Sequence, residues 1–197
     1  MHAPSGPPGR IIFLNGASSS GKTSIAEQLL EVLEQPWFHL PVDAINAMRA
    51  KRRTMELSQA GLDAVLARTR AGYHRAVAGM AAAGNNVVMD YVLSERWRLL
   101  DCLSVLADFE VVFVGVRCAP AELARRERLR GDREPGLAQA QQELVRAHGR
   151  YDIECDTTTT SPLDCALTIR DFLARPDPPT AFDELRTMLA EGAVLPP

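Results

Sequence analysis

The sequence predicts an α/β protein, a three-layer α/β/α sandwich on a five-stranded parallel sheet. Three observations carry that expectation. Five short apolar runs alternate with stretches of helical length, and such alternation gives parallel strands joined by right-handed crossovers. Two of the runs, VVMD at 87–90 and VVFVGV at 111–116, are β-branched and continuous, as suits central strands covered on both faces. The third observation is the octapeptide GASSSGKT, Gly16 to Thr23, set between an apolar run and a helical stretch. At 197 residues the chain fits one domain with a sizeable core.

The elements follow in order. Residues 1–9 are rich in proline and glycine and lack an apolar signal core, so a flexible start is expected. The first strand is Ile11–Asn15, and a helix over Ser24–Glu34 follows the glycine-rich loop. The second strand, Trp37–Val42, leads into a short helix, Ala44–Ala50. Leu57–Ala83 reads as a long, Ala-rich amphipathic helix. A strand at Asn86–Asp90, a helix at Leu93–Leu106 and a strand at Glu110–Val116 come next. Pro120 and Pro162 open helices ending at Arg130 and Leu173, because a first-turn proline has no amide to lose. Between them lie a helix at Leu137–His148 and the last strand, Asp152–Cys155. The domain therefore spans 10–174. Beyond it, Arg175–Thr180 (RPDPPT) is a stiff linker. A final helix, Phe182–Ala190, carries an apolar stripe of Leu185, Met188 and Leu189. That stripe docks either on the body or on a second subunit, which leaves a homo-oligomer open.

The octapeptide has the spacing G-x-x-x-x-G-K-T, a phosphate-binding P-loop. Its glycines let backbone N–H groups turn inward around phosphate oxygens, and the following helix N-terminus adds partial positive charge. Gly16, Ala17, Ser18, Ser19, Ser20, Gly21, Lys22, Thr23 and Ser24 are the expected nucleotide contacts. Lys22 is placed to reach the terminal phosphates, and the Thr23 hydroxyl to ligate Mg²⁺. The chain is therefore expected to bind a nucleoside triphosphate with Mg²⁺.

Strands of such sheets deliver functional groups at their carboxyl ends. Asp43 closes the second strand, where a carboxylate can take the proton of an acceptor hydroxyl. An N-cap of the following short helix is the equally weighted alternative. Asp90 closes NNVVMD as a Walker-B-like carboxylate for Mg²⁺ or for orienting the acceptor. Tyr91, Val92 and Leu93 beside it read as part of the substrate wall, with a buried core tyrosine as the duller option for Tyr91. The run RRERLRGDR, Arg125 to Arg133, places Arg126 and Arg130 on one helix face, with Gly131 as a helix end and Arg133 beyond it. Beside a P-loop this reads as a lid near 125–136 whose arginines neutralise charge on the transferred phosphoryl group; otherwise it is a solvated face. Thr157, in Cys155-Asp156-Thr157-Thr158, belongs to a loop that could cup a nucleobase.

Composition narrows the alternatives. Apolar residues make up 46% and charged residues 24%, with a net charge of −3. Neither that balance nor the local RAKRR cluster at 49–53 points to a nucleic acid, which would need a broader basic face. The apolar runs are too short to span a bilayer, so no membrane partner and a cytoplasmic location are expected. Cys102, Cys118, Cys155 and Cys165 lack metal-ligand spacing and read as reduced, buried hydrophobes.

These pieces together resemble the chloramphenicol phosphotransferase family, within the nucleotide-kinase-like P-loop fold. The resemblance spans roughly Arg10 to Leu173. It rests on IIFLNGASSSGKTSI, EQPWFHLPVDAI, VVMDYVL, VVFVGVRCAPAELARRERLRGDR and YDIECDTTTTSP. It implies a core similar to shikimate and adenylate kinases, with sheet order 2-3-1-4-5. It implies an ATP-dependent O-phosphotransferase acting on a small hydroxylated acceptor, chloramphenicol or a related antibiotic, as in resistance by modification. Asp43 matches the family's base, Arg126, Arg130 and Arg133 its lid arginines, Lys22 and Thr23 its P-loop pair, and Asp90 its third-strand aspartate. The chain departs from the family at Tyr91, where a second aspartate is usual, through Met48–Arg75, and in the extra tail 175–197. A small-metabolite kinase of the same fold and a nucleotide-binding regulatory module are the alternatives.

Overall fold

Strand residues point alternately to the two faces of a sheet, and that alternation sorts the apolar residues into two cores. The structure, a computed structural model, describes residues 6–130, 136–147 and 149–192. In chain order the elements are β1 (Ile11–Asn15), α1 (Lys22–Val32), β2 (Trp37–Pro41), α2 (Val42–Ala47), α3 (Lys51–Met55), α4 (Gln59–Ala82) and β3 (Asn86–Tyr91). They continue with α5 (Arg96–Val105), β4 (Val111–Arg117), α6 (Pro120–Arg130), α7 (Leu137–Arg146), β5 (Ile153–Asp156), α8 (Pro162–Leu173) and α9 (Ala181–Ala190). The five strands form one parallel sheet in the order β2-β3-β1-β4-β5, as the resemblance implied.

On one face Phe13, Met89 and Phe113 pack against Tyr73 and Val77 of α4 and Leu99 and Cys102 of α5. On the other, Ile12, Leu14, Val88 and Val114 pack against Ile25 and Leu29 of α1 and Ile169 of α8. Each such aliphatic or aromatic side chain stabilises the fold by about 1.5–3 kcal/mol on full burial. β1, at the centre, is buried along its whole length, so the P-loop that leaves it starts from the most constrained strand in the sheet.

Three boundaries differ from the sequence expectation for local reasons. The long helix expected over 57–83 is α4, which starts two residues later, at Gln59, because the Ser58 hydroxyl caps it by accepting from Gly61 N at 3.2 Å; the short helix α3 before it was not expected. The P-loop helix starts at Lys22, directly behind Gly21, whose φ of 96° no β-branched residue would adopt easily. The final helix docks on its own chain. Phe182 meets Phe13 and Phe113 at centroid distances of 5.8 and 5.0 Å, and Leu185 is fully buried. Asp152 fixes its start by accepting from Thr180 N and Ala181 N at 2.8 and 3.0 Å. Residues 1–5 of the expected flexible start, Gly131, Arg133 and His148 lie outside the described residues.

Candidate active site

The P-loop runs from the end of β1 into α1, and two of its residues, Ser19 (φ 61°) and Gly21 (φ 96°), are left-handed. Left-handed turns of this kind aim successive N–H groups into one hollow, an anion-binding nest. A Cβ on Gly16 would sit 2.4 Å from the Val116 carbonyl, so only glycine lets the loop leave β1 beside β4.

Lys22 is buried and its ammonium donates to the carbonyls of Gly16 and Ala17 at 2.9 and 2.8 Å. Its Nζ also lies 3.9 Å from Asp90 Oδ1. Thr23 Oγ1 donates to Asp90 Oδ2 at 2.7 Å, joining α1 to the end of β3. Burial alone would raise the Asp90 carboxyl. The Lys22 charge, together with His39 and the Thr23 hydroxyl, outweighs it and holds that group below the usual carboxylate range. Asp90 is therefore an anion at neutral pH. A hydroxyl and an ionised carboxylate within hydrogen-bond reach form a donor set that fits a hard divalent cation such as Mg²⁺. Thr23 and Asp90 are the residues that would hold it.

These groups line one cavity of about 720 Å³, within the usual size for a small-molecule site. Pro41, Val42 and Asp43 form its wall on the β2 side, and Arg126, Gln141 and the 157–162 loop its other walls. Asp43 is exposed and sits in the first turn of α2, where Pro41 occupies the N-cap position. Asp43 is thus not the N-cap of this helix, and it is among the residues that line the cavity.

Arg126 donates to Thr157 twice, to Oγ1 at 3.1 Å and to the carbonyl at 2.8 Å. Thr157 is buried and its hydroxyl donates to the Ser20 carbonyl at 2.7 Å. The Arg126 side chain lies within 3.4 Å of a Cβ built on Gly21. The loop after β5, the basic helix α6 and the P-loop are thus bonded together. Glu122 accepts from Arg125 and Arg126, and those two cations hold it down to about 2. α6 reaches Arg130 at its last residue, while Arg133 of the expected lid lies outside the described residues.

Tyr91 corrects the sequence reading. It is buried, and its ring packs on Phe13, Tyr73 and His74 instead of lining the crevice. The physical reason is strand alternation. Position 91 falls on the same face as Met89 and Leu93 is buried in that core too, so of the three residues expected there only Val92 lines the cavity. Three further residues escaped the sequence reading. Asn15, buried at the end of β1, accepts from Leu93 N at 2.9 Å and donates to the Tyr151 hydroxyl and the Val145 carbonyl, at 2.9 and 3.2 Å. His39 of β2 places Nε2 3.8 Å from Asp90 Oδ2. Gln141 of α7 accepts from the Ser18 amide at 2.9 Å. None belongs to a contiguous motif; only the parallel register and the placement of α7 bring them to the loop.

With this geometry in place, the relatives of the chain can be compared. Residues 9–174 match the family described as chloramphenicol phosphotransferase-like protein. The chain belongs to this family. A Mycobacterium tuberculosis H37Rv relative, Rv2636, named for an unproven O-phosphotransferase activity, is 32% identical over 200 residues, covering 91% of this chain and 89% of that one. Among solved structures, the tunicamycin resistance protein of Deinococcus radiodurans is similar with a TM-score of 0.64 and 19% identity, over 87% of this chain and 98% of the other. The Mycobacterium tuberculosis APS kinase CysC, solved with AMPPNP and APS, gives 0.62 and 17%, over 86% and 100%. These two likenesses show the fold, that of P-loop kinases. By family the chain is a kinase-like phosphotransferase with a small-molecule acceptor. Among the described residues no helix is long and apolar enough to cross a membrane.

Proposed function

We propose that the chain is an ATP-dependent O-phosphotransferase that moves the γ-phosphoryl group to a hydroxyl of chloramphenicol or a chemically related antibiotic. The observation that carries this reading is the Asp43 carboxylate in the same cavity as Lys22, Thr23 and Asp90. A nucleotide switch would have no use for a carboxylate at that wall. An acceptor kinase needs one there, to take a proton as the acceptor oxygen attacks.

The roles follow from position. The P-loop amides and the α1 N-terminus hold the phosphates. Lys22 exchanges its two carbonyl partners for phosphate oxygens. Asp43 orients the acceptor hydroxyl and receives its proton; the new bond forms between that oxygen and the γ-phosphorus, and the bond to the ADP oxygen breaks. Mg²⁺, held through Thr23 and Asp90, would draw charge from the phosphate oxygens. Arg126, with Arg130 and Arg133 of the lid, excludes water and neutralises charge on the transferred group. Thr157 anchors the nucleotide side of the cavity.

The test is ADP release by the full chain with and without chloramphenicol, with mass spectrometry of the acceptor. The reading expects acceptor-stimulated ADP and a product heavier by one phosphoryl group. A panel of sugar acids and nucleosides in parallel separates an antibiotic kinase from a metabolite kinase. ADP release that no acceptor stimulates removes the phosphotransferase reading.

A further inference from the structure

The P-loop has a beginning and an end, and they face different parts of a bound triphosphate. The end, Lys22 to Ser24, opens α1, whose first amides point at the phosphates nearest the helix N-terminus. The beginning, Gly16 to Ser18, is where the Lys22 ammonium now rests, on the Gly16 and Ala17 carbonyls. Because a P-loop lysine serves the β- and γ-phosphates, the space beside Ser18 is the terminal-phosphate end of the cavity. Asp43, the proposed base, lines this same cavity.

One side chain from outside the motif enters this space. Gln141, on the second turn of α7, accepts from Ser18 N at 2.9 Å and lines the cavity. α7 holds it firmly. Gln142 donates to the Cys118 carbonyl at 3.0 Å, and the Val145 carbonyl accepts from Tyr151 and Asn15 at 2.6 and 3.2 Å. Val145 packs with Ala17, Cys118 and Leu123 in a small apolar cluster beneath the loop. With Oε1 committed to the Ser18 amide, Nε2 is the end of the carboxamide left for a ligand, and it has no partner among the described residues.

We propose that Gln141 is a catalytic residue whose Nε2 amide donates to an oxygen of the transferred phosphoryl group, so that the site distinguishes a triphosphate from a diphosphate. The inference rests on the phosphotransferase reading and adds to it a residue that no motif marks. A neutral donor suits the position. It helps disperse charge on the phosphoryl oxygens, and unlike an additional ammonium or guanidinium it offers Asp43 no ion pair that would lower its basicity. Since Ser18 N already occupies Oε1, the amide needs no reorientation when a nucleotide arrives.

The first variant is Gln141→Glu. A glutamate keeps an oxygen for the Ser18 amide but supplies no donor. The carboxylate also sets a negative charge beside the terminal phosphate, so the neutral Gln141→Ala is its control: there a role limited to holding the loop weakens both nucleotides alike, and a role as donor weakens AMP-PNP the more. Calorimetric titration of the full chain with AMP-PNP and with ADP, both with Mg²⁺, is the measurement. Gln141→Glu should weaken AMP-PNP by tenfold or more, about the loss of a hydrogen bond to a charged group, while ADP affinity changes less than about threefold. Gln141→Ala should lower the preference for AMP-PNP in the same direction by a smaller factor. Equal preference in wild type and Gln141→Ala, or equal weakening of both nucleotides in that variant, overturns the proposal whatever Gln141→Glu does. Failure of the wild-type chain to bind AMP-PNP would instead overturn the phosphotransferase reading beneath it, and Lys22→Ala measured alongside tells the two failures apart.

Discussion

The two sides of the cavity are built differently. On the phosphate side the residues are buried and cross-bonded: Asn15, Ser20, Lys22 and Thr157 are each at most 6% exposed, and α7, β3 and the loop after β5 each bond to the P-loop motif. On the β2 side, α2, which gives Val42 and Asp43 to the cavity wall, and α3 beyond it bury no residue, and Met48 and Met55 are 78% and 80% exposed. The contrast teaches where constraint lies in this fold. Holding a triphosphate demands fixed donors, whereas an acceptor wall needs only one well-placed carboxylate and surfaces that can change.

That contrast can be broken by substitution. Lys22→Ala strikes the constrained side hardest. It should lower kcat/KM for ATP by roughly 10³–10⁴-fold, combining about 10²–10³ in turnover from a lost electrostatic stabiliser with roughly tenfold in binding, as steady-state kinetics would read. Phe182→Ala probes the scaffold under β1 and β4 and should cost about 3–5 kcal/mol in denaturant unfolding, because its ring fills the space between Phe13 and Phe113. A loss below about 1 kcal/mol would mean that α9 is not part of the core. Arg126→Ala should weaken ATP about 10- to 100-fold by calorimetry, the range for hydrogen bonds to charged groups. Met55→Ser, on the β2 side, should leave unfolding within about 0.5 kcal/mol of wild type. A large loss there would mean that α3 packs more tightly than its exposure indicates.

Legibility in the sequence follows the same division. The octapeptide was readable because phosphate binding uses consecutive residues, and Asp43 and Asp90 because strand ends are marked by a change from apolar to acidic. The strands themselves were found to within a residue or two, since continuous β-branched runs have few alternatives. Of the two readings of Tyr91 the buried one holds, because one step along a strand reverses the face. Gln141 and His39 left no trace, because their meaning comes from elements distant in sequence: Gln141 stands 123 residues from its partner. The stripe on the last helix was visible, but its destination was not. Asp152, which fixes that destination, reads in sequence as an ordinary strand-edge acid.

The central claim is that Asp43 and the P-loop act on one and the same hydroxyl. Comparing wild type with Asp43→Asn, by AMP-PNP calorimetry and by mass-spectrometric counting of phosphorylated acceptor, tests it most directly. The account predicts nucleotide affinity within about twofold and a loss of transfer of about 10²–10⁴-fold, the usual contribution of a general base. Equal phosphorylation by the two proteins would contradict it.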